Sequence, residues 1–240
     1  MPQSFFIWKG VDCRSKGVFL RGPVSIVRPE ERVKHLEIPG RSGDLTQIEG
    51  TNIFNSYIQT ATIRVKGGFR VREVYDWLRG EDYVTFSGEP DRRQKARIVG
   101  AITLDKLSRN LDIWVGEVQF YCQPLKERLR STLVEVTSGD TIRNYGDVDA
   151  RPFWHFEADG TSATITVTDE NEDTQTLTLT GLTDEDTYWV DSEIFEVMND
   201  DGTSVTKNSS GIFPVLPPGN NTITFTGITS LEIDQRERFL

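Results

Sequence analysis

Apolar residues in the first 130 positions come mostly as short runs with a period of two, cut off by glycine, proline or aspartate. Ser4 to Trp8, Val18 to Leu20, Val24 to Val27, Ile58 to Val65, Tyr83 to Phe86, Ala96 to Leu104 and Leu111 to Tyr121 each read as a β-strand on that pattern. One stretch departs from it. In GGFRVREVYDWLRGED, residues 67–82, Val71, Val74, Tyr75 and Leu78 recur at helical spacing, which predicts one amphipathic helix over about 69–79. Gly67 and Gly68 precede it, and Gly80 stands where a left-handed cap is wanted. A single helix covering the apolar face of β-structure is the architecture this order implies.

Beyond residue 130 the period stays two, but threonine takes the polar places. In TSATITVTDENEDTQTLTLTG, residues 161–181, Ala163, Ile165 and Val167 alternate with Thr, and after an acidic turn Leu177 and Leu179 do the same. That is a hairpin with one wet face. Further strands are predicted at Thr187 to Val190, Ile194 to Met198, Thr203 to Lys207, Ile223 to Phe225 and Leu231 to Ile233. Short strands at this spacing with no helix between them argue for a β-sandwich or jelly-roll. The expected division is therefore 1–130 and 131–240, both mainly β, with the helix in the first.

Charge sharpens the division. The chain carries a net charge of -10. Residues 1–130 nevertheless hold 22 Lys and Arg against 16 Asp and Glu, net +6, while residues 131–240 hold 5 against 21, net -16. The basic residues are interleaved with acids and form no single run, so two domains with different neighbours explain the asymmetry more cheaply than specific nucleic-acid binding. No run approaches the roughly 18 apolar residues of a membrane helix. The start, MPQSFFIWKG, lacks the parts of a signal peptide, which points to cytoplasmic synthesis and to reduced packing roles for Cys13 and Cys122.

Candidate chemistry is thin. HLEIPGRSGDLTQIEG, residues 35–50, brackets a tight turn with two short apolar strand-like pieces, but has neither phosphate-loop spacing nor a following helix. Asp169 to Asp173 open like a calcium loop, yet Thr174 replaces the glycine and Thr180 the bidentate glutamate that such a loop needs. His35 and His155 lack zinc spacing, and no GxSxG elbow occurs. Among 37 Asp and Glu no pair stands out as a glycosidase dyad. The residues nominate no catalytic group, no cofactor and no metal.

The order of several strings is more informative. IPGRSGDL (38–45), a helix ending WLRG, then GEPDRRQKARIVG (88–100) and EVQFYCQP (117–124), followed by IRNYGDVDARPFWHF (142–156) and FPVLPPGNNTITFTG (213–227), resemble over nearly the whole chain the distal tail proteins of long-tailed, siphovirus-type bacteriophages. Ser42 stands where relatives commonly carry an acid, so the turn, and no charge at that position, is what carries over. The resemblance implies an N-terminal β-sandwich-like domain with one helix and a C-terminal galectin-like, jelly-roll β-sandwich. It implies a homo-hexameric ring in the virion at the distal end of the tail. Such a ring joins the tail tube protein to the tail-associated tip protein and leaves a channel for DNA.

On that reading Pro39, Gly40, Arg41, Gly43 and Asp44, within the loop 38–50, are the expected interface residues, since in a cyclic ring each loop meets a different surface of its neighbour. The alternative is a carbohydrate-binding protein. Asn144, Arg151, Trp154 and His155 offer the residue types for it, and Trp154 is the candidate glycan contact. Strand alternation, however, puts Trp154 and Phe156 on one face and Phe153 and His155 on the other.

Overall fold

The computed structural model describes residues 4–48, 50, 52–107, 110–130 and 132–240. They form two compact units, Met1–Leu129 with Leu240, and Arg130–Phe239. Both are mainly β, with one short α-helix among the described residues.

The first unit contains β1 (Phe6–Trp8), β2 (Val11–Asp12), β3 (Val18–Leu20), β4 (Val33–Glu37), β5 (Asp44–Ile48), β6 (Tyr57–Lys66), α1 (Val71–Trp77), β7 (Glu81–Phe86), β8 (Arg92–Val99), β9 (Leu104–Lys106) and β10 (Ile113–Arg128). Its main sheet is antiparallel and runs β2-β1-β7-β8-β10-β6-β3, with β9 also pairing β10. The inward residues of β6 and β10, Ala61, Ile63, Val65, Val118, Phe120 and Cys122, are buried with Phe6, Trp8 and Val84. Aromatic rings bind this core to the helix: Phe6 stacks on Trp77 at 5.7 Å and meets Phe120 edge-on at 5.3 Å.

The helix is shorter than its apolar period suggests. Residues Gly68–Arg70 form a 3-10 turn ahead of it, and Leu78 leaves helical geometry at φ -82, ψ 65 to enter the core. Gly80, at φ 81, therefore lies two residues past the stop. The buried stripe is Val74, Trp77 and Leu78, and Tyr75 is 38% exposed, because the true stripe is rotated one position from the expected one.

Three expected strands change in this unit. Val24 to Val27 forms none, for Pro23 and Pro29 flank it and neither can donate to a ladder. Ala96 to Leu104 is interrupted at Gly100, φ 73, so β8 ends at Val99 and β9 begins at Leu104. The strand expected to end at Tyr121 continues to Arg128 through Pro124, which is accommodated in a register shift between Cys122 and Lys126.

The second unit contains β11 (Val134–Val136), β12 (Thr141–Asn144), β13 (Phe153–Ala158), β14 (Ser162–Thr168), β15 (Thr174–Thr180), β16 (Thr187–Asp191), β17 (Glu196–Asn199), β18 (Ser209–Gly211), β19 (Gly219–Thr226) and β20 (Ile228–Asp234). Two five-stranded antiparallel sheets, β11-β20-β13-β16-β17 and β12-β19-β14-β15-β18, enclose one apolar core. This is a β-sandwich. The Thr-alternating hairpin forms in the register its pattern demands, Ile165 opposite Leu177 and Ala163 opposite Leu179, all four side chains buried. Thr203 to Lys207 is not a strand, since the chain turns through a 3-10 segment at Thr206–Asn208 before β18. Ile194 and Phe195 belong to a turn, Phe195 at φ 57, and the strand starts at Glu196.

Candidate functional site

The loop singled out in the sequence is the tip of a hairpin. β4 and β5 pair only with each other, in the register Val33–Ile48, Lys34–Gln47, His35–Thr46, Leu36–Leu45 and Glu37–Asp44. Pro39, Gly40, Arg41 and Gly43 lie in the connecting turn, and Asp44 opens β5. Gly40 and Gly43 have φ of 82 and 81, the left-handed region where a side chain is strained. The Arg41 N–H donates to the Ile38 carbonyl at 3.1 Å and closes the turn. Residue 49 of the expected 38–50 segment lies outside the described residues.

Its side chains point to solvent almost without exception. Leu36, Ile38, Leu45 and Ile48 are all exposed, Ile48 by 58%. Arg41 and Asp44 make no ion pair with each other. A free two-stranded hairpin is marginally stable in water.

On the outer face of the main sheet, three exposed residues stand in a row across three strands. Tyr121 of β10 faces Ile58 of β6 on one side and Arg97 of β8 on the other. Ile58 is 53% and Tyr121 41% exposed. Glu81 stands opposite Arg97, but its carboxylate pairs with Lys95 at 3.3 Å. No carboxylate among the described residues forms an ion pair with Arg97.

The glycan candidate fails on burial. Trp154 is 0% exposed, and its indole N–H donates to Ser192 Oγ at 3.2 Å, so it has no face to offer a sugar. The other nominated residues do not gather around it. Asn144 is buried and donates to the carbonyls of Val148 and Leu216, while Arg151 lies over the Phe195 ring.

The outward residues of the same strand form an aromatic ladder instead. His155 stacks on Trp189 at 3.8 Å, and Phe153 approaches Trp189 at 5.1 Å. His155 Nδ1 is 2.9 Å from Glu232, the Trp189 N–H donates to Asp200 at 3.2 Å, and Arg236 pairs with Asp191 at 2.9 Å while covering Phe153. Trp189 could have been found by applying to Thr187–Val190 the alternation already applied to Phe153–Phe156.

Chemistry in the remaining places is modest. Among the described residues no three His, Cys, Asp or Glu side chains gather as a metal site requires. The acidic turn after β14 binds its own backbone, since Asp169 Oδ1 accepts from the N–H groups of Asn171 and Asp173. A recess bordered by Tyr57, Glu89, Gln94 and Lys126 offers about 20 Å³, room for a water molecule. No helix is long and apolar enough to cross a membrane.

No protein-family model matches the sequence, and no curated protein does. Solved structures are similar. One is the crystal structure of the phage SPP1 Dit protein (gp 19.1), reported as a paradigm of the hub adsorption apparatus in phages infecting Gram-positive bacteria. The likeness covers 99% of each chain at 18% identity, with a TM-score of 0.79. The structure of the phage p2 baseplate in its activated conformation with Sr is also similar over 96% of each chain, at 9% identity and a TM-score of 0.45, too low to bear on the argument. Through nearly its whole length, this chain has the fold of a phage hub protein.

Proposed function

We propose that this chain is a structural component of a phage tail tip. Six copies form a ring that joins the tail tube to the tail-associated proteins and leaves a channel through which DNA passes. The observation supporting this reading is that both units, in order, share the fold of the SPP1 hub protein over 99% of either chain. Such a protein works by geometry and not by reaction chemistry. One heterologous contact repeated about an axis closes a ring, and pairing or covering the outer strands β2 and β3 removes edges that invite aggregation.

Charge fits the same arrangement. A strongly basic channel wall would hold DNA by its phosphates and slow it, so the surplus Lys and Arg of the first unit belong at subunit contacts. The net -16 of the second unit keeps outward modules from adhering to one another.

One observation favours the carbohydrate alternative: the Phe153–Trp189–His155 ladder is only half-buried. Each polar tip in it already has a partner, however, which leaves few groups to bind sugar hydroxyls. Native mass spectrometry of the purified full chain separates the readings. A sixfold multiple of the 27.2 kDa chain is expected; a monomer at every concentration, with glycan binding lost on Trp189→Ala, reverses the preference.

A further inference from the structure

The two outer faces of the second unit's sandwich differ in kind. On the β12-β19-β14-β15-β18 sheet, Thr222, Thr168 and Thr174 stand in one row and Thr224, Thr166 and Thr176 in the next, neutral and without aromatic rings. The outer face of the other sheet carries a row with one residue from each strand: Glu135, Glu232, His155, Trp189 and Met198. Four strand spacings make that row about 19 Å long. In the row beside it, Phe153 lies between Asp234 and Asp191, and Asp191 faces Glu196.

This second face joins an aromatic centre to an acidic border. Trp189, Phe153 and Met198 are half-buried, so each leaves part of its surface to solvent. Carboxylates stand opposite carboxylates twice, Glu135 to Glu232 and Asp191 to Glu196, an arrangement that destabilises a sheet. His155 and Arg236 each take up one of them, Glu232 and Asp191. Among the described residues, Glu135, Glu196 and the outward Glu157 of β13 form no ion pair.

We infer that the outer face of the β11-β20-β13-β16-β17 sheet docks a protein other than this chain, one that presents Lys and Arg around an apolar residue. The apolar residue packs on Trp189 and Phe153, as at the aromatic centre of an interface, and the cations close on Glu135, Glu157 and Glu196. Charge selects this occupant. A second copy of the unit would bring 21 Asp and Glu against 5 Lys and Arg and be repelled. Nucleic acid is repelled in the same way. The row is longer than a small cation and equals the length of about six extended residues. The contact does not depend on the ring.

The test uses the full-length chain and a synthetic peptide in which Lys and Arg alternate with Leu, beside a control peptide with Glu in place of every Lys and Arg. Calorimetric titration should show binding of the basic peptide, weakening as salt rises, and none of the acidic one. Glu135→Gln with Glu157→Gln and Glu196→Gln should weaken binding at least tenfold. Glu172→Gln with Asp173→Asn and Glu185→Gln removes as much charge outside this face and should change affinity less than twofold. Trp189→Leu should also weaken binding, and thermal melting shows whether that variant stays folded. The triple glutamine variant loses only like-charge neighbours, so it should melt no lower than the unaltered chain. Equal weakening by the two triple variants would mean general attraction to an acidic domain and overturns the inference. So does failure of the basic peptide to bind, or a neutral glycan binding this face in its place. Self-association abolished by the Glu135, Glu157 and Glu196 changes would make the partner a second copy and overturn it too. A chain monomeric at every concentration that still selects the basic peptide ends the ring reading and leaves this contact standing.

Discussion

Lys126 Nζ lies 2.6 Å from a Glu89 carboxylate oxygen inside the first unit, with 5% of the lysine side chain exposed and 21% of the glutamate. The partners are not equally dependent on each other. Glu89 also accepts from Arg92 Nη1 at 3.0 Å, and Lys126 Nζ also donates to the Leu240 carbonyl at 3.2 Å. Removing the glutamate strands a buried ammonium, which costs about 3–5 kcal/mol, while replacing the lysine by an apolar side chain of similar volume is often neutral. Glu89→Ala should therefore lower urea stability by several kcal/mol and Lys126→Met by about 1 kcal/mol or less. Equal losses in the two variants would show that the pair stabilises as a unit.

A second polar position makes the first unit sensitive to alkali. Tyr57 and Cys122 are cross-strand partners on β6 and β10, and the Tyr57 hydroxyl donates to Gln94 Oε1 at 2.9 Å. Burial pushes the phenol up to about 12, with the nearby thiol adding to the effect. Burial likewise pushes the Cys122 thiol up to about 12. Both groups hold their protons more tightly folded than unfolded. Their contribution is fully present below their ordinary values, about 8.5 for the thiol and 10 for the phenol, and is lost as pH rises toward 12. Urea midpoints should thus fall progressively above pH 9, and Tyr57→Phe should flatten the part above pH 10. A slope unchanged in that variant would assign the alkaline loss elsewhere.

The same burial makes a reagent test. Cys13 and Cys122 are both free and buried, and burial raises the Cys13 thiol as well. Neither should react with a thiol reagent at pH 8 until the chain unfolds. Rapid labelling of one cysteine in the native protein would reveal an opening of the main sheet.

How far the sequence carried this reading depends on what each signal measures. Alternation of Thr with Ile, Val and Leu was enough to locate β14 and β15, because a period of two is also the geometry of a half-buried strand. Val24 to Val27 is also mostly β-branched and forms no strand, since pairing depends on donors that Pro23 and Pro29 lack. Helix length was overread because periodicity sees Leu78 as a core residue and cannot see that it reaches the core by leaving the helix. The tip hairpin was legible from two glycines and a proline, but its like-charged pair appears only once the register joins Glu37 to Asp44. Trp154 was misplaced for a different reason: residue type suggested chemistry, while its parity in the strand had already put it beside Phe156 on the inner face.

Trp154 should consequently behave as a core residue. Trp154→Ala removes a fully buried indole, an exchange that costs about 3–5 kcal/mol in a packed interior. Trp154→Phe should cost less but still register, because Ser192 Oγ loses its donor inside the core. Urea denaturation of the full chain measures both. A stable Trp154→Ala variant that has lost affinity for a specific glycan would return the residue to the glycan contact of the alternative reading.

The turn tip provides the test that separates an interface from a simple chain reversal. Arg41 and Asp44 are exposed and make no ion pair with each other, so the monomer has little use for either side chain. Gly40 and Gly43 are different, for their positive φ is required by the turn itself and a Cβ there would be strained, although space around each is open. Arg41→Ala with Asp44→Ala should therefore leave the melting temperature almost unchanged while lowering the proportion of rings at a given concentration. Gly43→Val should disturb the turn, and through it the ring, by a strain of about 1–2 kcal/mol. Thermal melting beside native mass spectrometry resolves the two effects. If the alanine pair leaves ring population untouched, the side chains at the tip contact no neighbour, and the two glycines serve only to turn the chain.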